Sequence, residues 1–301
     1  MSGLCAGRIV VVTGAGRGLG RSYALAFARE GARVVVNDLG TSLAGQGRDT
    51  ATAQAIVDEI QSCGGEAVAN GDDVSEWDSA GGIIQTAIDR FGGLDVIVNN
   101  AGFLRDRMFV NATVEEWDAI VKVHLRGHFC VTRHAVDYWR ACGKQGRPVD
   151  ARIINASSGA GLNGSIGQSA YSAAKGGIAS LTLVQAAELK RYGITANALA
   201  PAARTRMTEQ AFGEKMKKPE SGFDVQDPDN VAPTVVWLGS VESREVTGCV
   251  FELEGGRITV CDGWNEGPTI DKAARWEPKE VGQVVGELLA KRRPQKKVYG
   301  T

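Results

Sequence analysis

Gly7-Arg-Ile-Val-Val-Val-Thr13 runs straight into Gly14-Ala-Gly-Arg-Gly18-Leu-Gly20, and apolar residues then recur at helical spacing through Tyr23, Leu25, Ala26 and Phe27 up to Gly31. The β-branched run predicts a buried strand, the glycines a tight turn and the periodic segment a helix. Strand, glycine turn, helix is the context in which such a motif means dinucleotide binding and not an ordinary turn. Glycines let backbone N–H groups approach a pyrophosphate, which then sits on the positive end of the helix dipole. Gly14, Arg17, Gly18, Leu19 and Gly20 are therefore the first candidate cofactor residues.

Working outward, Arg33-Val-Val-Val-Asn37-Asp38 predicts a second strand that ends in an acid. Its distance from the glycines, about 20 residues, is that of the carboxylate that accepts from the ribose hydroxyls and repels a 2′-phosphate. Asp38 thus argues for NAD. Arg17 pulls toward NADP, because an arginine in the glycine turn can meet a 2′-phosphate, but a charge at the ribose edge outweighs it. A long Gly/Ser-rich loop over 39–49 is followed by a helix over 48–63, a strand over 66–70 and a helix over 76–91. Asp72, Asp73 and Val74 either border an adenine pocket or form a turn that caps the next helix. Leu94-Asp-Val-Ile-Val-Asn99-Asn100-Ala101-Gly102 predicts a buried parallel strand ending in small and amide residues.

The pattern continues with strands over 151–156, 194–199 and 248–253, the last of which closes the sheet, and with helices over 115–140, from Tyr171 to about 192, over 229–239 and over 278–291. Alternating β and α units of this length imply an α/β fold, a doubly wound parallel sheet of Rossmann type with right-handed crossovers. One domain over residues 1–254 and a C-terminal extension over 255–301 is the economical division. Ligands bind such sheets beyond the C-terminal ends of the strands. The glycine turn, Asp38, Asp73, Asn100 and Ser158 all fall at such ends.

Tyr171-Ser-Ala-Ala-Lys175 supplies the chemistry. On a helix the tyrosine and the lysine project from one face. A phenol with a pKa of about 10 is a poor base near neutrality, and a neighbouring ammonium favours the phenolate. Ser158 can hold a substrate oxygen while Tyr171 moves the proton. Three polar groups meeting at one alcohol or carbonyl carbon suit hydride transfer.

Composition excludes several other classes. The 301 residues carry 34 basic and 35 acidic side chains, so no net field draws nucleic acid or a membrane surface. No apolar run approaches the roughly 18 residues of a membrane span and no signal-peptide core precedes the first strand, so the expected location is the cytoplasm. Six cysteines without C-x-x-C spacing read as reduced thiols. His124 and His128 stand at i, i+4 without an evident third ligand, so metal binding is not expected. The polar, glycine-punctuated segment over 202–227 is a candidate substrate lid. The basic run Lys291-Arg-Arg-Pro-Gln-Lys-Lys297 reads as a solvated tail or as a contact with an anionic substrate or a partner subunit.

Thr13-Gly14-x-x-x-Gly18-x-Gly20, Asn99-Asn100-Ala101-Gly102, Ser158, Tyr171-x-x-x-Lys175 and Pro201, in this order and spacing, resemble the short-chain dehydrogenase/reductase family over about residues 7–254. The resemblance implies Tyr171 as acid/base, Ser158 as orienter of the substrate oxygen and Lys175 as both ribose ligand and modulator of the phenol. It places Asn100, Ala101, Gly102 and Pro201 beside the cofactor. The position of the family's relay asparagine is His124, a ring that can hold a relay water or a backbone group. The usual Pro-Gly after the sixth strand is Pro201-Ala202, with Thr205 one place early. Val-Asn-Asp38-Leu-Gly40, Phe-Leu-Arg105-Asp106-Arg107, Val-His124-Leu-Arg-Gly127 and Arg206-Met207-Thr208 look like a narrower branch, the (3R)-hydroxyacyl-CoA dehydrogenase units of peroxisomal multifunctional enzymes of type 2. That likeness implies NAD-linked oxidation of a fatty or sterol-derived acyl-CoA by a homodimer or homotetramer. The alternatives are a hydroxysteroid dehydrogenase and an NADPH-dependent 3-oxoacyl reductase; an intact Ser158/Tyr171/Lys175 set argues against a non-enzymatic cofactor-binding scaffold.

Overall fold

A computed structural model describes residues 3–300 except 43, 44, 46, 207, 210–212 and 295. The parts of the 39–49 loop, the 202–227 segment, the Arg206-Met207-Thr208 motif and the basic tail that fall on those positions lie outside the described residues.

The elements follow the chain as β1 (Ile9–Thr13), α1 (Gly18–Arg29), β2 (Arg33–Asn37), α2 (Ala51–Ser62), β3 (Glu66–Asn70), α3 (Trp77–Phe91), β4 (Val96–Asn99), α4 (Val114–Val121), α5 (Gly127–Lys144), β5 (Ala151–Ala156), α6 (Gly159–Asn163), α7 (Ser169–Leu189), β6 (Ile194–Ala202), α8 (Ala232–Gly239), β7 (Val250–Glu254), β8 (Arg257–Cys261) and α9 (Pro278–Lys291). They build one eight-stranded sheet in the order β3-β2-β1-β4-β5-β6-β7-β8, parallel except for the last pair. Chain order reverses between β1 and β4, the switch point beyond which a doubly wound sheet receives its ligand.

Helices on both faces explain why the strands read as unbroken apolar runs. Val10 and Val12 of β1 pack with Tyr23 and Phe27 of α1 and Val235 of α8, whereas Ile9 and Val11 pack with Ile83 and Ile84 of α3 and Val131 and Trp139 of α5. Alternation along the strand sends successive side chains to opposite layers. Near their C-terminal ends the strands carry amides instead. Asn37 pairs with Asn70, and Asn99 with Asn155, in register and through 2.8 Å and 3.0 Å side-chain hydrogen bonds.

Two elements differ from expectation. The sheet does not close at β7, because β8 adds an antiparallel edge strand through a tight turn in which Gly255 adopts a φ of +54°. The composition change at Gly255 therefore marks a hairpin, and residues 257–261 belong to the sheet. The helix expected over 115–140 is continuous from Val114 to Lys144 but contains a π-helical turn at Lys122–Arg126. Such a turn widens the helix and aims side chains that a regular helix would not, and His124 lies in it. α9 falls where its apolar stripe predicts, yet none of its residues is buried.

Candidate active site

The N-terminal end of α1 is built to receive an anion. Gly14 and Gly18 adopt left-handed φ values of +63° and +52°, which only glycine takes without strain. A Cβ at Gly20 would stand 2.1 Å from the Gly14 carbonyl oxygen, so the helix closes on the turn only because Gly20 lacks a side chain. No side chain caps the helix, and its first N–H groups are left for a ligand. Asn100 fastens β4 to this turn, its Nδ2 donating to the carbonyls of Thr13 at 3.0 Å and Gly14 at 3.2 Å.

A cavity of about 230 Å³ opens here. Of the cofactor residues named from the sequence, Gly14, Arg17, Gly18, Leu19, Gly20, Asp38, Asp73, Val74, Asn100, Ala101 and Gly102 line it, while Tyr171, Lys175 and Pro201 do not. Pro201 is held in β6 opposite Leu253. The Asp38 carboxylate accepts from the N–H of Gly16 at 2.8 Å and of Gly40 at 2.7 Å, which fixes its position on the cavity wall. Arg17 donates to Thr52 Oγ1 at 3.1 Å. Asp73 accepts from the backbone and hydroxyl of Ser75, as a turn residue would, and still lines the cavity. Leu39, Phe103, Val123 and Arg206 also line the cavity and were not singled out as cofactor residues; Thr205, displaced by one place from the family's pattern, lines it too. Leu39 and Phe103 follow strand ends already recognised as ligand-facing, so reading each strand a residue further would have found them. An uncapped helix, a glycine-rich turn and a fixed carboxylate together fit a nicotinamide dinucleotide.

Ser158 caps α6, its Oγ accepting from Ala160 N at 3.1 Å, and its hydroxyl lies near enough to Tyr171 to favour the phenolate. Gly161 allows α6 to lie directly on α7, since a Cβ there would stand 2.5 Å from the Lys175 carbonyl carbon. Ser157 reinforces the contact by donating to the Lys175 carbonyl at 2.8 Å. That approach brings Ser158, Tyr171 and Lys175 together. The sequence-based electrostatics need one correction. Lys175, only 3% exposed, turns its Nζ toward the Ala156 carbonyl at 2.5 Å and lies 5.6 Å from the centre of the Tyr171 ring. Burial lowers its pKa from 10.5 to about 7, so near neutrality it is only partly an ammonium. Burial likewise raises the Tyr171 phenol, against the lowering by Ser158 and with a further rise from Asp106. Desolvation of both groups outweighs the expected help of one charge to the other.

His124 sits edge-on to Tyr171, ring centres 5.2 Å apart. Its Nε2 lies 2.8 Å from the carbonyl oxygen and 3.2 Å from the amide nitrogen of Phe103, and the ring so fills the space beside Gly102 that a Cβ there would stand 2.1 Å from it. Burial, with a smaller contribution from Lys175, lowers its pKa to about 3, so the imidazole is neutral. With Nε2 donating to Phe103, Nδ1 is a buried atom without a partner. His128 is buried beyond it, and burial likewise holds that ring neutral. His134, on the outer side, packs tilted against Trp77 with ring centres 4.2 Å apart. Among the described residues no group of three or more His, Cys, Asp or Glu gathers as metal ligands would, and no helix is long and apolar enough to cross a membrane.

Parallel sheet, uncapped glycine turn and the Ser158/Tyr171/Lys175 cluster define a dinucleotide-dependent oxidoreductase of CH–OH groups, and comparison with known proteins agrees. A family model described as short chain dehydrogenase matches residues 8–216, and the chain belongs to that family. A crystal structure of a short chain dehydrogenase from Mycobacterium avium superposes with a TM-score of 0.89 at 59% identity, covering 99% of this chain and all of that one. Hydroxyacyl-CoA dehydrogenase ChsB1 of Mycobacterium tuberculosis is 42% identical over 98% of this chain and 92% of its own length. Peroxisomal multifunctional enzyme type 2 of Mus musculus is 47% identical over 84% of this chain, which spans 32% of that protein.

Proposed function

We propose that the protein oxidises a (3R)-hydroxyacyl-CoA, with a fatty or sterol-derived acyl chain, to the 3-oxoacyl-CoA, using NAD+ as hydride acceptor. The observation that carries this reading is the gathering of Ser158, Tyr171 and Lys175 by the contact of α6 with α7, in a chain similar along nearly all its length to a hydroxyacyl-CoA dehydrogenase. The glycine turn would hold the pyrophosphate, Asp38 the adenosine ribose, Asp73 and Val74 the adenine, and Asn100 to Gly102 the nicotinamide half, with Lys175 on its ribose. When bound, the nicotinamide ring supplies the hydride acceptor. Tyr171 removes the proton of the substrate hydroxyl, Ser158 donates a hydrogen bond to the oxygen as it becomes a carbonyl, and Lys175 passes the proton on toward solvent. His124, neutral and wedged between Phe103 and Tyr171, keeps the loop after β4 in place, and its free Nδ1 supports the relay. The Arg204–Asp224 ion pair and a 2.6 Å hydrogen bond from Arg204 N to Gln226 O tie the two ends of the 202–227 segment together, which supports its reading as a substrate lid. Phe129, Leu183 and Val184 are about half exposed on α5 and α7, which supports a homodimer or homotetramer that covers them.

One assay panel tests the substrate and the cofactor together. NAD+ and NADP+ reduction is measured with medium- and long-chain hydroxyacyl-CoAs, sterol acyl-CoAs and free hydroxysteroids. The expected outcome is turnover of a hydroxyacyl-CoA with NAD+, and Asp38→Ala relaxing the cofactor preference by at least tenfold. Turnover of free steroids alone would overturn the substrate, and an unaltered preference in Asp38→Ala would overturn the ribose assignment.

A further inference from the structure

The segment from Ser158 to Tyr171 joins two residues of the proposed machinery, and both of its flanks are held by distant parts of the chain. On one side Arg107 N donates to the Gly167 carbonyl at 2.7 Å, and Gln168 Nε2 donates to Asp106 at 3.0 Å. On the other side lies the C-terminal tail. Ser165 and Tyr299 form a parallel bridge in which Tyr299 N donates to the Gly164 carbonyl at 3.1 Å and Ile166 N donates to the Tyr299 carbonyl at 2.9 Å. The Tyr299 ring covers Gly159, next to Ser158, so closely that a Cβ on Gly159 would stand 2.6 Å from the phenol oxygen. Lys296 anchors the tail to the sheet by pairing with Glu252 of β7 at 2.6 Å. A basic run that reads as a solvated tail is thus followed by a docked one.

We propose that Tyr299 is a positioning residue for the substrate side of the site: the tail, held by Lys296 and paired through Tyr299, fixes the segment over 159–168 and with it the direction in which Ser158 meets the substrate oxygen. The argument is one of conformational entropy. Gly159, Gly161, Gly164 and Gly167 leave this segment with few side chains of its own to restrain it, and Gly164 and Gly167 have φ values of +78° and +76°. A chain so rich in glycine is ordered by outside contacts or not at all. The ring on Gly159 and the bridge at Ser165 supply such contacts close to the reacting groups. Among the described residues, none of the tail lines the cofactor cavity. The assignment rests on the hydroxyacyl-CoA reading for its kinetic readout.

Three variants of the full chain test it: Tyr299→Ala, Tyr299→Phe and a chain ending at Pro294. Tyr299→Ala and the truncation should raise KM for the hydroxyacyl-CoA at least fivefold, with NAD+ affinity and Tm held, and Tyr299→Phe, which keeps the ring on Gly159, should restore KM to within twofold of the parent. Hydrogen exchange of peptides covering 159–168 should quicken at least tenfold in the first two variants, a readout that needs no substrate. An unchanged exchange rate, or faster exchange with KM unaltered, would overturn the positioning role. So would NAD+ affinity and Tm falling in step with KM, which would mark a merely structural part. Should the parent itself not oxidise a hydroxyacyl-CoA, the functional reading fails, and the exchange measurement still decides whether the tail orders the segment.

Discussion

Arg8 and Arg152, 8% and 1% exposed, converge on Asp150 at the N-terminal ends of β1 and β5, whereas His124 and Lys175, 2% and 3% exposed, meet no carboxylate beyond the C-terminal ends of the same sheet. At the first end Arg152 pairs with Asp150 at 2.7 Å and donates to the Ser240 carbonyl at 3.0 Å, while Arg8 reaches the carboxylate at 3.2 Å. The two guanidiniums outweigh the effect of burial on Asp150 and hold its carboxyl below the usual range. At the second end burial acts almost alone, keeping His124 neutral, moving Lys175 to about 7 and raising the Tyr171 phenol. Burying an unpaired charge costs several kcal/mol, so a buried group is either paired or gives up its charge. One end of the sheet is built to keep charge and the other to shed it. Groups that change charge near neutrality are those able to move protons.

Tyr171→Phe sharpens that contrast most. Loss of a positioned acid/base costs up to about 10⁴-fold, and a fall in kcat of at least about 10³-fold is expected, with NAD+ affinity and Tm little altered. Stopped-flow measurement of NADH formation reads it, and a variant that kept a tenth of the parent rate would show that the phenol is not the base. Asp150→Ala should do the reverse. Leaving Arg152 buried without its partner should remove about 2–3 kcal/mol of unfolding free energy in urea, below the full cost of breaking a buried pair because the Asp150 side chain is 42% exposed. Its kcat, measured below the transition, should stay within twofold of the parent. An activity loss with stability intact would break the division of labour between the two ends.

Most of this architecture is legible because its causes are local. The inner strands β1 and β4 are buried on both faces and so read as apolar runs, and Gly14 and Gly18 answer the turn's own left-handed φ values of +63° and +52°. Asp38 and Ser158 could be placed because strand ends are countable. The π-helical turn at His124 was not legible, since Lys122-Val-His-Leu-Arg126 carries no glycine or proline to mark an interruption of the helix. β8 was missed although Arg257-Ile-Thr-Val260 alternates polar and apolar residues as a strand does; the apolar pair is more than half exposed, so no buried face goes with the pattern. Thr205 and Arg206 reach the cavity because the chain folds back after β6, and the pairing of Tyr299 with Ser165 joins residues that share no local signal. The proximity of Tyr171 and Lys175 was readable from their spacing, but the balance between charge and burial was not, because it depends on how much of each side chain the fold removes from water.

That balance leads to the smallest effect. Lys175 has a folded pKa of about 7 against an ordinary 10.5. Below pH 7 the ammonium is protonated folded and unfolded alike, and folding bears the full cost of burying it. Between the two values the unfolded chain holds the proton and the folded chain does not, so unfolding takes up a proton and stability rises with pH. Going from pH 7 to pH 9 should therefore add no more than about 2 kcal/mol to the unfolding free energy through this one group. Lys175→Met removes the titration, so its stability should be flatter than the parent's over the same interval when both are unfolded in urea. No Asp or Glu acts on Lys175, so added salt should leave the difference intact. At the other end, where Asp150 faces two arginines, the interaction is between charges and salt should weaken it. Parallel pH slopes in parent and Lys175→Met would mean that Lys175 keeps its charge in the fold, and the two ends of the sheet would then differ only in their partners.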